Sequence, residues 1–302
     1  MPKGIIKRLE SMCRNFLWTG KEGTFRRAPI AWSKICEPKR QGGLNVFDLE
    51  RWNKACLSKL LWDLCKKNDS LWVRWIHSYY IKQDQVMTVK VKPSCSWMLR
   101  AILNQRENLE GMQAWNAQMC ARKFCKKKIY NGLLKNAETV PWRKIFYDNE
   151  ARPRVVFITW LVCHGRLATK DRLKRFGILD NDNCVLCAGT ETLNHLLFEC
   201  NKMHDSWRET LNWMQMEHTP QNWEHELQWI SHMSKKKSWK TRLLKTAFVE
   251  TVYACWSYRN AIVYRADDRD RNRNIHNEII DTIVHRIWRK PSLREKIAPF
   301  LL

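Results

Sequence analysis

Three cysteines and one histidine, Cys184, Cys187, His195 and Cys200, fall within seventeen residues in the spacing C-x2-C-x7-H-x4-C. Thiolate sulfur and imidazole nitrogen are preferred zinc donors, and zinc takes four of them in a tetrahedron. Two cysteines separated by two residues let one tight turn aim both sulfurs at the same ion. The stretch "HLLFEC" (His195–Cys200) supplies the other two donors from a single turn or helix start. The central gap is short, so the expected unit is a compact knuckle and not a finger of two strands and a helix. Four protein donors close the coordination shell, which makes the expected Zn²⁺ a single structural ion with no open position for a catalytic water. Two rival readings are three buried thiols beside a satisfied histidine, and a redox C-x-x-C pair. The first makes four donors in one short stretch a coincidence. The second calls for a surrounding strand–helix–strand pattern, which the sequence lacks. His204 is a substitute nitrogen donor near Cys200. Cys163 and His164 are read as structural, because sequential neighbours on a helix point apart.

The charge balance is the second chemical signal. Lys plus Arg number 54 against 30 Asp plus Glu, a formal charge of +24. Such an excess calls for a polyanionic partner, nucleic acid first and an acidic membrane surface second. The cations concentrate in Arg122, Lys123, Lys126, Lys127 and Lys128, then Arg172, Lys174 and Arg175, and then Lys235, Lys236, Lys237, Lys240 and Arg242. Cations on phosphates release counterions, which gives affinity without sequence readout. Any one run taken alone reads as a solvated helix face, and Lys235–Lys237 also has the character of a nuclear import signal. The 17 tryptophans could stack on unpaired bases. Their helical spacing, as in Trp72 and Trp75, assigns them to core packing instead.

These residues must be held by a mainly α chain. With 302 residues, 44% hydrophobic content and only 10 Gly and 9 Pro, the sequence reads as folded and helix-rich, with room for more than one domain. Ile5, Ile6, Leu9, Met12 and Phe16 recur at helical intervals. Asp48 is placed to cap a helix carrying Leu49, Trp52, Cys56, Leu60 and Leu64 on one face, and Ser70 to cap another with Trp72, Trp75, Ile76 and Tyr79. Residues 83–93 alternate as an edge strand or loop, and residues 96–135 read as helical and polar. A new unit begins at Val140, Thr169 is placed to cap a short helix, and Gly177 to end it. The longest periodic segment is Trp239–Arg265. The expected division is a helical thumb-like region at 1–85, a basic connector at 86–139, a zinc domain at 140–215 and a helical C-terminal region at 216–302. Met1–Glu10 has no apolar run of a signal peptide, and the longest apolar stretch, Val155–Cys163, is about half of the ~20 residues that span a bilayer. The expectation is an intracellular protein, nuclear or cytoplasmic, without membrane contact, whose cysteines stay reduced and are mostly small buried apolar residues.

Residues 141–207 resemble the zinc-binding domain that follows the reverse transcriptase of plant LINE-type (non-LTR) retrotransposons. The likeness rests on Trp142 with Ile145-Phe146, Pro153, Phe157 and Trp160, Leu167-Ala168-Thr169 with Leu173, and then the four candidate ligands with Glu191, Leu196-Leu197-Phe198 and Trp207. The usual Pro-Pro-Lys and Leu-Pro-Thr of that family read "RPR" and "LAT" here. The stretch from Trp32 through "CEPKRQGGLN" to "LWVRWIHSYY" resembles the segment behind the polymerase palm, and "YACWSYRNAIVYR" a Trp-x-x-Arg-Asn segment after the zinc domain. The resemblance implies the helical C-terminal part of a reverse transcriptase, with Cys184, Cys187, His195 and Cys200 as zinc ligands and His195 favoured over His204. It also implies nucleic acid, RNA or DNA, as partner, together with the parent element's polymerase palm.

The carboxylates of the polymerase itself are not seen. Two adjacent aspartates on a strand–turn–strand hold the magnesium ions of nucleotidyl transfer. The only Asp-Asp here, Asp267-Asp268, has the wrong spacing from Tyr264 and polar flanks. Neither ribonuclease H nor endonuclease carboxylate motifs are visible. The expectation is a non-catalytic nucleic-acid-binding chain; the alternative is an inert or domesticated fragment acting as a protein-interaction module with a purely structural zinc site.

Overall fold

The computed structural model describes all residues except 21–27, 135–137, 266–273 and 299–302. Asp267 and Asp268 lie outside the described residues. The described residues are mainly α, without a strand, and contain one isolated antiparallel bridge between Asn183 and Thr190. They divide into two compact units, Met1–Glu138 and Thr139–Leu302. No described helix is long and apolar enough to cross a membrane. All twelve cysteines are free thiols.

The first unit holds α1 (Lys3–Thr19), α2 (Trp32–Ile35), α3 (Leu49–Cys65), α4 (Leu71–Ile76), α5 (Trp97–Asn104), α6 (Arg106–Leu109), α7 (Gln113–Cys120) and α8 (Lys126–Gly132). Asp48 caps α3 by accepting from the Arg51 N–H at 2.9 Å, and Ser70 caps α4 by accepting from Val73 at 3.3 Å. Leu61, Leu64, Val73, Ile76, Leu99, Ile102, Trp115 and Ile129 meet in its core. The landmark "CEPKRQGG" is a close backbone crossing: Leu44 N–H donates to the Ile35 carbonyl at 2.9 Å, and a Cβ on Gly43 would lie 1.9 Å from the Glu37 carbonyl oxygen. Only glycine fits there.

Several expectations need correction. The buried face of α3 is Ala55, Ser58, Leu61, Trp62 and Leu64, while Trp52, Cys56 and Leu60 are half-buried. In α4 the core takes Val73 and Ile76, while Trp75 and, in the wide turn His77–Ile81 that follows, Tyr79 are exposed, so helical spacing alone misassigned Trp75. Of the periodic residues of α1 only Ile6 is buried; Ile5, Leu9, Met12 and Phe16 are exposed. Residues 83–93 take the loop of the two alternatives, with the Arg106 guanidinium occupying the Val86 and Val89 carbonyls at 3.2 and 2.8 Å. The polar stretch is helical as expected over its described residues 96–134, in four short helices separated by turns.

The second unit holds α9 (Pro153–Cys163), α10 (Lys170–Arg175), α11 (Asn201–Trp213), α12 (Trp223–Met233), α13 (Trp239–Arg265), α14 (Ile275–Trp288) and α15 (Pro291–Ile297). Helix α13 is its centre: Leu243, Leu244, Ala247, Phe248, Val249, Val252 and Cys255 are all buried. Helix α14 packs against it through Ile275, Ile279, Ile283 and Ile287, one residue per turn. Thr169 sits at the N-cap of α10, but its hydroxyl bonds to Asp171 and does not accept a backbone N–H. Gly177 ends that helix with φ +66°. His164 packs edge-on against Trp142 and Trp160 at 5.4 and 4.8 Å, and burial pushes the Cys163 thiol pKa up, so neither forms a nucleophile pair.

Candidate metal centre

The "HLLFEC" stretch is a single wide helical turn, His195–Glu199, entering α11. Leu196, Leu197 and Phe198 are consecutive and fully buried, and Phe198 stacks on Trp223 at 6.2 Å and 9°. Trp207 and Phe248 complete that aromatic cluster. Driving three successive apolar side chains inward leaves His195 and Cys200 at the two ends of the turn. Thr192 begins it by accepting the His195 N–H at 3.1 Å, and the Cys200 N–H closes it on the His195 carbonyl at 2.8 Å.

The other two donors come from a hairpin. Glu191 N–H donates to the Asp182 carbonyl at 2.7 Å, and Ala188 N–H to the Cys184 carbonyl at 3.2 Å, with Ala188 at φ +60°. Leu186 N–H points at the Cys184 sulfur, 3.4 Å away. Gly189 backs directly onto the histidine: a Cβ there would meet His195 Cε1 at 3.2 Å. This is the knuckle that the spacing calls for.

The donor atoms of Cys184, Cys187, His195 and Cys200 all lie within 4.8 Å of one another, a group that could hold one metal ion. His195 Nε2 is 3.0 Å from the Cys187 sulfur, and the Cys200 and Cys187 sulfurs are 3.8 Å apart. Zinc–sulfur bonds of about 2.3 Å in a tetrahedron place two sulfurs about 3.8 Å apart, so the donor set fits zinc. The interaction between the two sulfurs pulls the Cys184 thiol down and pushes Cys200 up. Cys184 and Cys200 are buried, His195 is half-buried and Cys187 is exposed. His204 stands outside the group, with its ring nitrogen 3.7 Å from the Asp205 carboxylate.

The basic candidates have different surroundings. Arg122, Lys123, Lys126, Lys127 and Lys128 are exposed in the first unit. In the second, Lys174 pairs with Asp182 at 2.8 Å, Arg175 with Asp171 at 3.0 Å, and Arg172 donates to the Gly165 carbonyl. That cluster is largely consumed by internal contacts. Lys235, Lys236, Lys237 and Lys240 are exposed, while Arg242 pairs with Glu150. Lys235–Lys237 share a cleft with Lys144, Lys245 and Lys296, three residues that belong to none of the sequence clusters. Only their convergence in the fold identifies them.

A family model described as zinc-binding in reverse transcriptase matches residues 124–207, which include all four donors. A putative ribonuclease H protein of Arabidopsis thaliana is 32% identical over 106 residues, covering 34% of this chain and 17% of that protein. An uncharacterized mitochondrial protein of Arabidopsis thaliana is 31% identical over 112 residues, covering 36% of this chain and 71% of that protein. The chain thus spans about a sixth of the length of the first relative and about two thirds or more of the second. No solved structure matches. The four clustered donors inside the matched segment, together with these relatives, place the chain in the reverse-transcriptase-related family that carries this zinc-binding domain.

Proposed function

We propose that the chain is a non-catalytic nucleic-acid-binding part of a LINE-type retroelement reverse transcriptase, folded around one structural zinc held by Cys184, Cys187, His195 and Cys200. Zinc supplies cross-linking only: four protein donors leave no position for substrate or water. The observation that carries the binding role is the exposed Lys235–Lys237 run on an already strongly basic chain. Such cations grip phosphates of RNA or DNA without reading bases. In a whole element the same surface would hold template or target beside the polymerase palm, in the nucleus or cytoplasm, where thiols stay reduced.

The test has two arms. Fluorescence anisotropy with labelled single-stranded RNA and DNA should show binding, and primer extension with magnesium or manganese should show none. Asp267→Asn with Asp268→Asn should leave binding unchanged or slightly stronger, since two negative charges are lost. A primer extended by the wild type and not by this double variant refutes the non-enzyme reading. The second reading, a protein-interaction module, is favoured by the exposed apolar side chains Ile5, Leu9, Met12 and Phe16 on α1. Absence of any nucleic-acid binding would make it the better one.

A further inference from the structure

The second unit contains a cleft of about 600 Å³ whose walls come from distant parts of the chain. They are the turn Pro141–Phe146 with the residues after it, the link from α12 to α13, the first turns of α13, and α15. Lys144, Lys235, Lys236, Lys237, Lys245 and Lys296 line it, against Asp148 as the lining carboxylate. Cations gathered on one concave surface repel one another and raise the local concentration of anions. Arg242 also lines the cleft, but it is bound to the Glu150 carboxylate, which Lys290 meets at 3.2 Å.

The walls are fastened together. The Lys245 ammonium donates to the Tyr147 carbonyl, Asn149 Nδ2 donates to the Lys245 carbonyl at 3.0 Å, and Glu150 N–H donates to Thr246 Oγ1 at 3.2 Å. Lys245 is only 5% exposed, and burial pulls its pKa below the usual lysine range. An anion beside it would restore what desolvation removes. Ser234, 7% exposed, lines the same cleft, and its hydroxyl has no hydrogen-bond partner. Helix α13 also starts here, with Ser238 accepting the Thr241 N–H at 3.1 Å, so the positive end of a 27-residue helix lies at the cleft.

We propose that this cleft is a phosphate-binding site that seats the backbone phosphates of a nucleic-acid strand. The strand rests on the nucleic-acid reading above, whereas the phosphate chemistry stands on the cleft alone. Lys144 and Lys296 come from two different elements, the turn Pro141–Phe146 and α15, and from none of the basic clusters, so their effect separates the site from bulk charge.

Two double variants that remove the same charge provide the test: Lys144→Gln with Lys296→Gln in the cleft, and Lys90→Gln with Lys92→Gln, both exposed in the first unit. Zinc content and circular dichroism report whether each still folds. Anisotropy of a labelled single-stranded RNA is read between 50 and 200 mM salt. The cleft variant should flatten the log–log salt slope by about 1.4, at ~0.7 per phosphate contact, and the control by less than about 0.5. Equal losses in both variants would mean that net charge alone binds RNA, and would overturn the site. A second measurement needs no nucleic acid: inorganic tripolyphosphate should protect Lys144 and Lys296 from acetylation more than Lys90 and Lys92. No such protection also overturns it. Protection with no RNA binding by the wild type keeps the phosphate site and removes the strand.

Discussion

Glu191, in the metal-ligand hairpin, and Arg259, near the end of α13, form an ion pair in which neither side chain is more than 1% exposed. Arg259 Nε donates to one carboxylate oxygen at 2.9 Å while the guanidinium also reaches the other, and Lys170 N–H adds a third donor at 2.9 Å. Asn260 accepts a further guanidinium N–H at 2.8 Å. The Trp-x-x-Arg-Asn segment is therefore the anchor that fixes the hairpin to the central helix.

Removing one member of such a pair leaves the other charge buried. Arg259→Met should destabilise the second unit by about 3–5 kcal/mol, and the double change with Glu191→Leu should cost less than the single one. Urea unfolding followed by hydrogen exchange across residues 182–200 measures both. A double variant as unstable as the sum of the singles would show that the two charges do not interact.

The donor cluster was legible because its four residues lie close together in the sequence at separations a metal could use, whereas the preference for His195 over His204 came from the family resemblance. The caps Asp48 and Ser70 were legible for the same local reason. What was left open or escaped was set by distant partners. Between the strand and the loop left open at residues 83–93, Arg106 favours the loop by taking the Val86 and Val89 carbonyls. The exposure of Trp75 follows from which stripe of α4 the rest of the unit covers, and periodicity does not name it. Lys144 and Lys296 belong to none of the basic clusters and are distant in the sequence, yet both line the one cleft.

Cys187→Ser removes the exposed thiol of the cluster, so its consequences report on the metal site and not on core packing. Purified wild type should hold about one zinc per chain and the variant much less. Hydrogen exchange should quicken over residues 180–205 more than over 45–80. Equal loosening of both regions would contradict a zinc site local to the second unit.

Glu250 is 2% exposed, and its Oε1 has no hydrogen-bond partner. Desolvation raises its pKa above the ordinary 4.5, with Arg152 opposing. The folded state then holds the proton more tightly than the unfolded one. Its contribution is present below the unfolded pKa and is lost as pH rises through the folded value. Glu250→Gln should therefore gain stability relative to wild type between pH 4.5 and neutrality. Thermal unfolding at both pH values checks this; a constant difference would show that Glu250 has no raised pKa.

The salt dependence of single-stranded RNA affinity, read on the full zinc-loaded chain, tests the central claim most directly. A strand gripped through roughly five phosphates gives a log–log slope near −3.5, at ~0.7 per contact. Lys235→Gln, Lys236→Gln and Lys237→Gln together should flatten it by about two units, by a similar amount for every sequence tried. A slope near zero, unchanged by the triple variant, would contradict nucleic-acid binding and leave the basic surface as solvated charge.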